Sequence, residues 1–177
     1  MRIIAGTNKG RTLKAPKWDG LRPTSDKLRE TLFNIIAPYL DGARVLDVFA
    51  GTGAIALEAL SRGAAAATCI EHDRRAALLI EDNRERCGET ERCVIIRDAV
   101  ERALLTPVAG GPFDIVVLDP PYEYAAIENA VRDAATQRAT GGLLVLEHAS
   151  RVVPPAPAGL VATRTVKSGD SALTFYS

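Results

Sequence analysis

The chain contains no run approaching the roughly 18 consecutive apolar residues that a membrane span needs, so no membrane-spanning helix is expected. It has only three cysteines, Cys69, Cys87 and Cys93. An odd number without paired spacing argues against a disulfide scaffold and fits a reducing, cytoplasmic setting. The two histidines, His72 and His148, stand far apart, and the cysteines lack zinc-ligand spacing, so no metal is expected. The start, Met1 to Gly6, turns polar too soon for a signal peptide. Net charge is missing too, since 22 Lys+Arg balance 22 Asp+Glu. Taken as an average, that counts against a nucleic-acid partner. What remains is a 177-residue chain, 47% apolar and 25% charged, the size and make-up of one soluble globular domain with a small appendage.

The average conceals an asymmetry. Residues 1–30 hold eight basic and three acidic side chains, a balance of +5, which leaves fourteen against nineteen, or −5, for the rest. Within this basic segment, Arg2 to Ala5, then Gly6 to Gly10, then Arg11 to Lys14 read as strand, Gly/Asn turn and strand. A hairpin there holds Arg2, Lys9, Arg11 and Lys14 as a set that can neutralise phosphates, with Arg22 further on. Two units are expected: residues 1–22 as a basic β-hairpin arm and 23–177 as the main domain.

The main domain begins with a helical period over Leu28, Leu32, Ile35, Ile36 and Tyr39, capped by Thr24 or Ser25 and ended at Pro38. Strands are then predicted at 44–48, 67–71, 94–97, 114–118 and 143–147, separated by helices over 53–61, 74–86, 100–105 and 125–138. Such alternation makes a mostly parallel sheet covered on both faces. The prolines at 154, 155 and 157 interrupt it, and 160–167 with 172–176 flank Ser168-Gly169-Asp170-Ser171 as an antiparallel hairpin.

Two motifs fall at the carboxyl edge of this sheet, the usual binding crevice. The first, Asp47-Val48-Phe49-Ala50-Gly51-Thr52-Gly53, joins a strand to a helix, with Glu71 placed 20 residues after Gly51 to meet ribose hydroxyls. The same glycines satisfy a loose dinucleotide fingerprint. However, the acid ahead of them suits a cationic group, such as the amine and sulfonium of S-adenosylmethionine, better than a pyrophosphate. The second motif, Asp119-Pro120-Pro121-Tyr122, follows the buried strand directly. Its prolines remove two N–H donors and leave carbonyl acceptors, Asp119 adds a carboxylate, and Tyr122 adds a flat stacking face. That set can clamp a planar group bearing an NH₂. A purine's exocyclic amine is a poor nucleophile because its lone pair is delocalised. Two acceptors on its two N–H bonds orient that lone pair, so the effect is preorganisation rather than strong base catalysis.

With these motifs, and with Arg2-Ile3-Ile4-Ala5-Gly6, Lys9-Gly10-Arg11, Arg22-Pro23-Thr24, Asp26, Arg29, Glu30, Leu32, Phe33 and Asn34, the whole chain resembles the RsmD family of bacterial 16S rRNA (guanine-N2)-methyltransferases. These are class I S-adenosylmethionine-dependent enzymes. The resemblance implies an α/β, Rossmann-like, mostly parallel seven-stranded sheet with the antiparallel C-terminal hairpin, plus the small N-terminal β-hairpin. It implies S-adenosyl-L-methionine held by Thr24, Asp47, Phe49, Ala50, Gly51, Gly53, Glu71, His72 and Asp119, with Asp98 and Ala99 at the adenine. Asp119, Pro120, Pro121 and Tyr122 then present a guanine flipped out of its stack. The implied partner is 16S rRNA within the small ribosomal subunit, met by a monomer that needs neither membrane nor metal. One departure is Ser168, where the resemblance calls for an aromatic residue before Gly169. Rival readings are an adenine-N6 DNA or protein-glutamine methyltransferase and, in another class, an NAD-dependent oxidoreductase or a non-catalytic nucleoside-binding module.

Overall fold

A computed structural model of the chain describes residues 1–18 and 25–177. The predicted contacts of Arg22 and Thr24, and the boundary between residues 22 and 23, lie outside the described residues.

Helix α1 (Asp26–Ile36) starts at Ser25, whose hydroxyl accepts from the Leu28 N–H at 3.2 Å. It runs into a 3₁₀ turn, Ala37–Tyr39, that contains Pro38. Then come β1 (Arg44–Asp47), α2 (Ala54–Ser61), β2 (Ala66–Ile70), α3 (Arg74–Cys87), β3 (Cys93–Ile96), α4 (Val100–Ala103) and β4 (Phe113–Leu118). The chain closes with α5 (Ile127–Ala135), β5 (Arg138–Ala149), β6 (Ala162–Ser168) and β7 (Ser171–Tyr176). The seven strands form one sheet in the order β3-β2-β1-β4-β5-β7-β6. Strands β1 to β5 are parallel, whereas β7 is antiparallel to both β5 and β6. No described helix is long and apolar enough to cross a membrane.

Strand residues alternate between two cores, as the two-residue period requires. Val45, Ile115, Val117 and Val145 join the side covered by α1 and α2, while Leu46, Val116, Leu118 and Leu146 join the side covered by α4 and α5. The strand order reverses between β1 and β4. The connections that leave their carboxyl ends therefore turn to opposite faces of the sheet and open a crevice between the two motifs.

Three local expectations change. Helix α5 ends at Ala135, not Arg138, because Gln137 is buried and turned inward, where its Oε1 accepts from the Val108 N–H at 2.9 Å. Arg138 instead opens β5 opposite Phe113, ahead of a register shift that passes Gly142. A Cβ on Gly142 would stand 2.9 Å from two backbone oxygens, those of Ala139 and Phe113. The N-terminal turn is also less regular than a ladder. A single bridge pairs Arg2 with Thr12, supported by Ile3 N–H to Arg11 O at 3.0 Å and Leu13 N–H to Met1 O at 3.1 Å.

That turn packs on the main body. Ile3 and Leu13 are buried in the same core as α1 and α2. The fully buried Glu58 on α2 accepts from the backbone N–H groups of Ile4 (2.7 Å) and Ala5 (3.0 Å) and from Arg62 Nε (2.7 Å). Arg29 is buried beside it, donating to the Arg2 carbonyl at 2.6 Å and to Asp26 at 3.0 Å. Burial holds the Arg29 pKa below its usual value despite the neighbouring carboxylates.

Candidate active site

The loop after β1 is tied on three sides. Ala50 N–H donates to Ile70 O at 3.1 Å and Gly53 N–H to Ala50 O at 2.7 Å, which closes a tight turn. Gly53 takes φ 74°, and a Cβ there would meet Ile80 Cγ2 at 2.9 Å, so both backbone shape and space call for glycine. Gly51 N–H donates to Glu71 Oε2 at 2.9 Å. The buried Asn83 of α3 reaches the Thr52 carbonyl (3.0 Å) and also brackets Lys14, accepting from its N–H at 2.7 Å and donating to its carbonyl at 3.1 Å. One amide thus joins the glycine loop to the N-terminal segment.

Asp47 is 1% exposed at the end of β1. Neither of its oxygens has a hydrogen-bond partner of ordinary geometry among the described residues. Burial first, then the charges of Asp119 and Glu71, push its carboxyl up to about 8, and the Ala56 backbone N–H offsets part of this. A buried acceptor left in that state suits an incoming cation. Glu71 sits at the end of β2 with both oxygens engaged: one on Gly51, the other on the Asp73 N–H at 2.8 Å, with His72 Nδ1 at 3.3 Å. Asp73 then caps α3 and pairs with Arg75, which holds its carboxyl down at about 2.

Opposite stands the turn after β4. The Pro121 carbonyl is taken by the Tyr124 N–H at 2.9 Å, whereas no N–H among the described residues donates to that of Pro120. Tyr122 is 42% exposed. Its hydroxyl lies 2.6 Å from Ser171 Oγ and 3.4 Å from Glu147 Oε1, which anchors one end of the ring.

A cavity of about 520 Å³ joins the two motifs. Phe49, Ala50, Gly51, Glu71, His72 and the whole Asp119–Tyr122 turn line it, as expected of one site. Asp47 and Gly53 are not in its lining. Asp98 and Ala99 are not in its wall either. Asp98 accepts from the Ala99 N–H at 2.8 Å and pairs with Arg102. Their side of the crevice is marked by Phe49 packed edge-on against Tyr124, with centroids 5.0 Å apart.

Several wall residues carried no signal in the sequence, among them Trp18, Arg75, Glu147 and Ser171. Trp18 carries Arg75 over its ring at 4.9 Å, and Glu147 and Ser171 come from strands distant in sequence. Among the described residues, no group of three His, Cys, Asp or Glu side chains is placed to hold a metal.

The basic residues of the N-terminal turn divide. Arg2 and Lys9 are exposed around a surface cleft of about 380 Å³ that also carries Asp26, Lys27 and Glu30. Arg11 and Lys14 face α3 instead, where Arg11 donates to the Arg86 carbonyl and Lys14 Nζ pairs with Asp82 at 2.6 Å. Half of the expected set is therefore already occupied by the protein itself.

Comparison with known proteins gives a consistent result. The family model described as conserved hypothetical protein 95 matches residues 1–177. Ribosomal RNA small subunit methyltransferase D of Escherichia coli strain K12 is 36% identical over 179 residues, covering 99% of this chain and 89% of that one. YlbH of Bacillus subtilis, whose name assigns it provisionally to rRNA methylation, is 36% identical over 180 residues, with 99% and 98% covered. A solved Escherichia coli structure, yhhF, superposes with a TM-score of 0.87 at 36% identity, covering 99% of this chain and 96% of that one.

Proposed function

The chain belongs to the RsmD family, and on that premise we propose that it methylates the exocyclic N2 amine of a specific guanine in 16S rRNA, using S-adenosyl-L-methionine. The substrate in this reading is the assembled small subunit, met by a monomer of the enzyme. The observation that carries it is the opening of the glycine loop and the Asp119–Tyr122 turn into one cavity, with a buried, unsatisfied acid at the end of β1. The residues fit the cofactor. Asp47 supplies a counter-charge for the amine, Gly51 and Gly53 let the backbone approach closely, and Glu71 keeps lone pairs for ribose hydroxyls. When bound, S-adenosylmethionine supplies an electrophilic methyl carbon on a sulfonium.

The protein's own part is orientation. Asp119 and the Pro120 carbonyl accept the two N–H bonds of the flipped guanine amine, and the Tyr122 ring stacks on its base. With both N–H bonds held, the lone pair points at the methyl carbon, and the proton released afterwards leaves by way of Asp119. Arg2 and Lys9 hold phosphates outside the crevice.

Labelled methyl transfer to small subunits lacking the modification, followed by nucleoside analysis, tests this. The expected product is N2-methylguanosine, lost in Asp119→Ala. Label found only in adenine of DNA, or in protein, overturns the substrate. Calorimetric preference for NAD over S-adenosylmethionine overturns the cofactor.

A further inference from the structure

The acid of the crevice that this chemistry leaves unused is Glu147. Strands β4 and β5 run parallel with Leu118 beside Leu146, so Asp119, which follows β4, comes next to Glu147, which continues β5 in register with Leu173 of β7. Glu147 is 6% exposed and lines the cavity together with Asp119, close enough for the Asp119 charge to act on it. Its Oε2 meets no N–H or O–H donor among the described residues. Two ionised carboxylates are acceptors only, so a hydrogen bond between these two acids requires a proton on one of them. The titratable groups facing Glu147 are Asp119 at the end of β4 and Tyr122 in the turn, while β7 contributes the Ser171 hydroxyl. Among the described residues, no Lys, Arg or His acts on it. Burial, and then the Asp119 charge, push the Glu147 carboxyl up to about 8, so Glu147 carries a proton at neutral pH.

We propose that Glu147 is a positioning residue for methyl transfer: its protonated carboxyl donates to one oxygen of Asp119 and so turns the other toward the guanine amine. This rests on the function proposed above. In the transfer, the amine nitrogen bonds the methyl carbon as the carbon–sulfur bond breaks, and that bond's electron pair stays on sulfur. One N–H proton then passes to the Asp119 carboxylate and on to water, while Glu147 retains its own proton. Above the Glu147 pKa the pair carries two negative charges, the bridging proton is gone, and Asp119 is pushed out of line.

The test is the pH profile of kcat on unmodified small subunits, at saturating S-adenosylmethionine so that the ionisation of Asp47 during cofactor binding does not enter. In the wild type, kcat should fall about tenfold per pH unit above about pH 8. Glu147→Gln keeps an N–H donor toward Asp119 at every pH. It should stay within about twofold of the wild type at pH 7 and lose that alkaline fall. Glu147→Ala should lower kcat at pH 7 by about tenfold or more with cofactor affinity unchanged. In an Asp47→Asn background, which removes the other acid that titrates at about 8, an infrared carboxylic-acid band of the unliganded protein should bleach as pH rises through about 8 and be absent once Glu147→Gln is added. An alkaline fall retained in Glu147→Gln, or a Glu147 already ionised at pH 7 by that band, overturns the inference. A wild type that methylates no rRNA overturns the substrate reading instead, and the infrared band still reports on Glu147.

Discussion

On the proposed function, the buried Asp47 should make cofactor binding a proton-releasing event. Its pKa stands at about 8 in the unliganded protein, against an ordinary 3.8. At pH 7 roughly one site in eleven is therefore ionised. An ammonium group needs the carboxylate, so binding must first remove the proton. With a single group of pKa about 8 that ionises fully in the complex, the affinity for S-adenosylhomocysteine should rise about ninefold from pH 6 to pH 7. The same linkage requires release of about 0.9 proton per ligand at pH 7. Calorimetry in two buffers of different ionisation enthalpy reads that number directly. In Asp47→Asn both the pH dependence and the proton release should vanish, and affinity should fall to or below the wild-type value at pH 6. The same shift has a sign for stability. The unfolded carboxyl releases its proton first, so the native state binds more protons between about pH 4 and pH 8, and stability falls as pH rises across that window. The accumulated cost at pH 7 is bounded at about 4 kcal/mol. Asp47→Asn should consequently raise the melting temperature of the unliganded protein at pH 7 while weakening ligand binding. Affinity that is flat from pH 6 to pH 7 in the wild type would refute the reasoning.

Other substitutions probe the scaffold around the site. Asn83→Ala removes the amide that joins Thr52 to both backbone groups of Lys14. It should cost about 2–4 kcal/mol in urea unfolding, with cofactor affinity lost alongside, because one buried and two partly buried bonds go unmade. Arg29→Ala leaves the buried Glu58 without one of its two arginine neighbours and frees the Arg2 carbonyl. A loss of about 3–5 kcal/mol is expected, and protease should cut first near the N-terminus. Charge removal should act unevenly in the basic segment. Neutralising Arg2 and Lys9 together should lower the slope of log affinity for RNA against log salt by about 1–2. Neutralising Lys14, already paired with Asp82, should change that slope far less and leave stability within about 1 kcal/mol.

Residue type and spacing along the chain settled much of this protein. The β-branched runs, the glycines at 51 and 53, and the Asp119–Tyr122 turn announce their roles locally, since a period of two, a left-handed φ and a missing N–H belong to single residues or close neighbours. The sheet, its C-terminal hairpin and both motifs of the crevice were legible for that reason. The end of α5 was not, because Gln137 turns inward to satisfy Val108, a partner 29 residues away. The division of the basic residues was equally hidden. Lys14 is neutralised by Asp82 and Arg11 is held by the Arg86 carbonyl, and only the docking of the N-terminal turn on α3 brings them together. Most of all, tertiary structure decided the state of the acids. Asp47 is an ordinary aspartate by composition, and Glu147 is one more polar residue ending an apolar strand. Their protons are set by burial and by the charge of Asp119, which parallel register places beside one and the strand-order reversal places opposite the other. Sequence names which groups can titrate, but the dielectric and the neighbours that determine when they do exist only after the chain has folded.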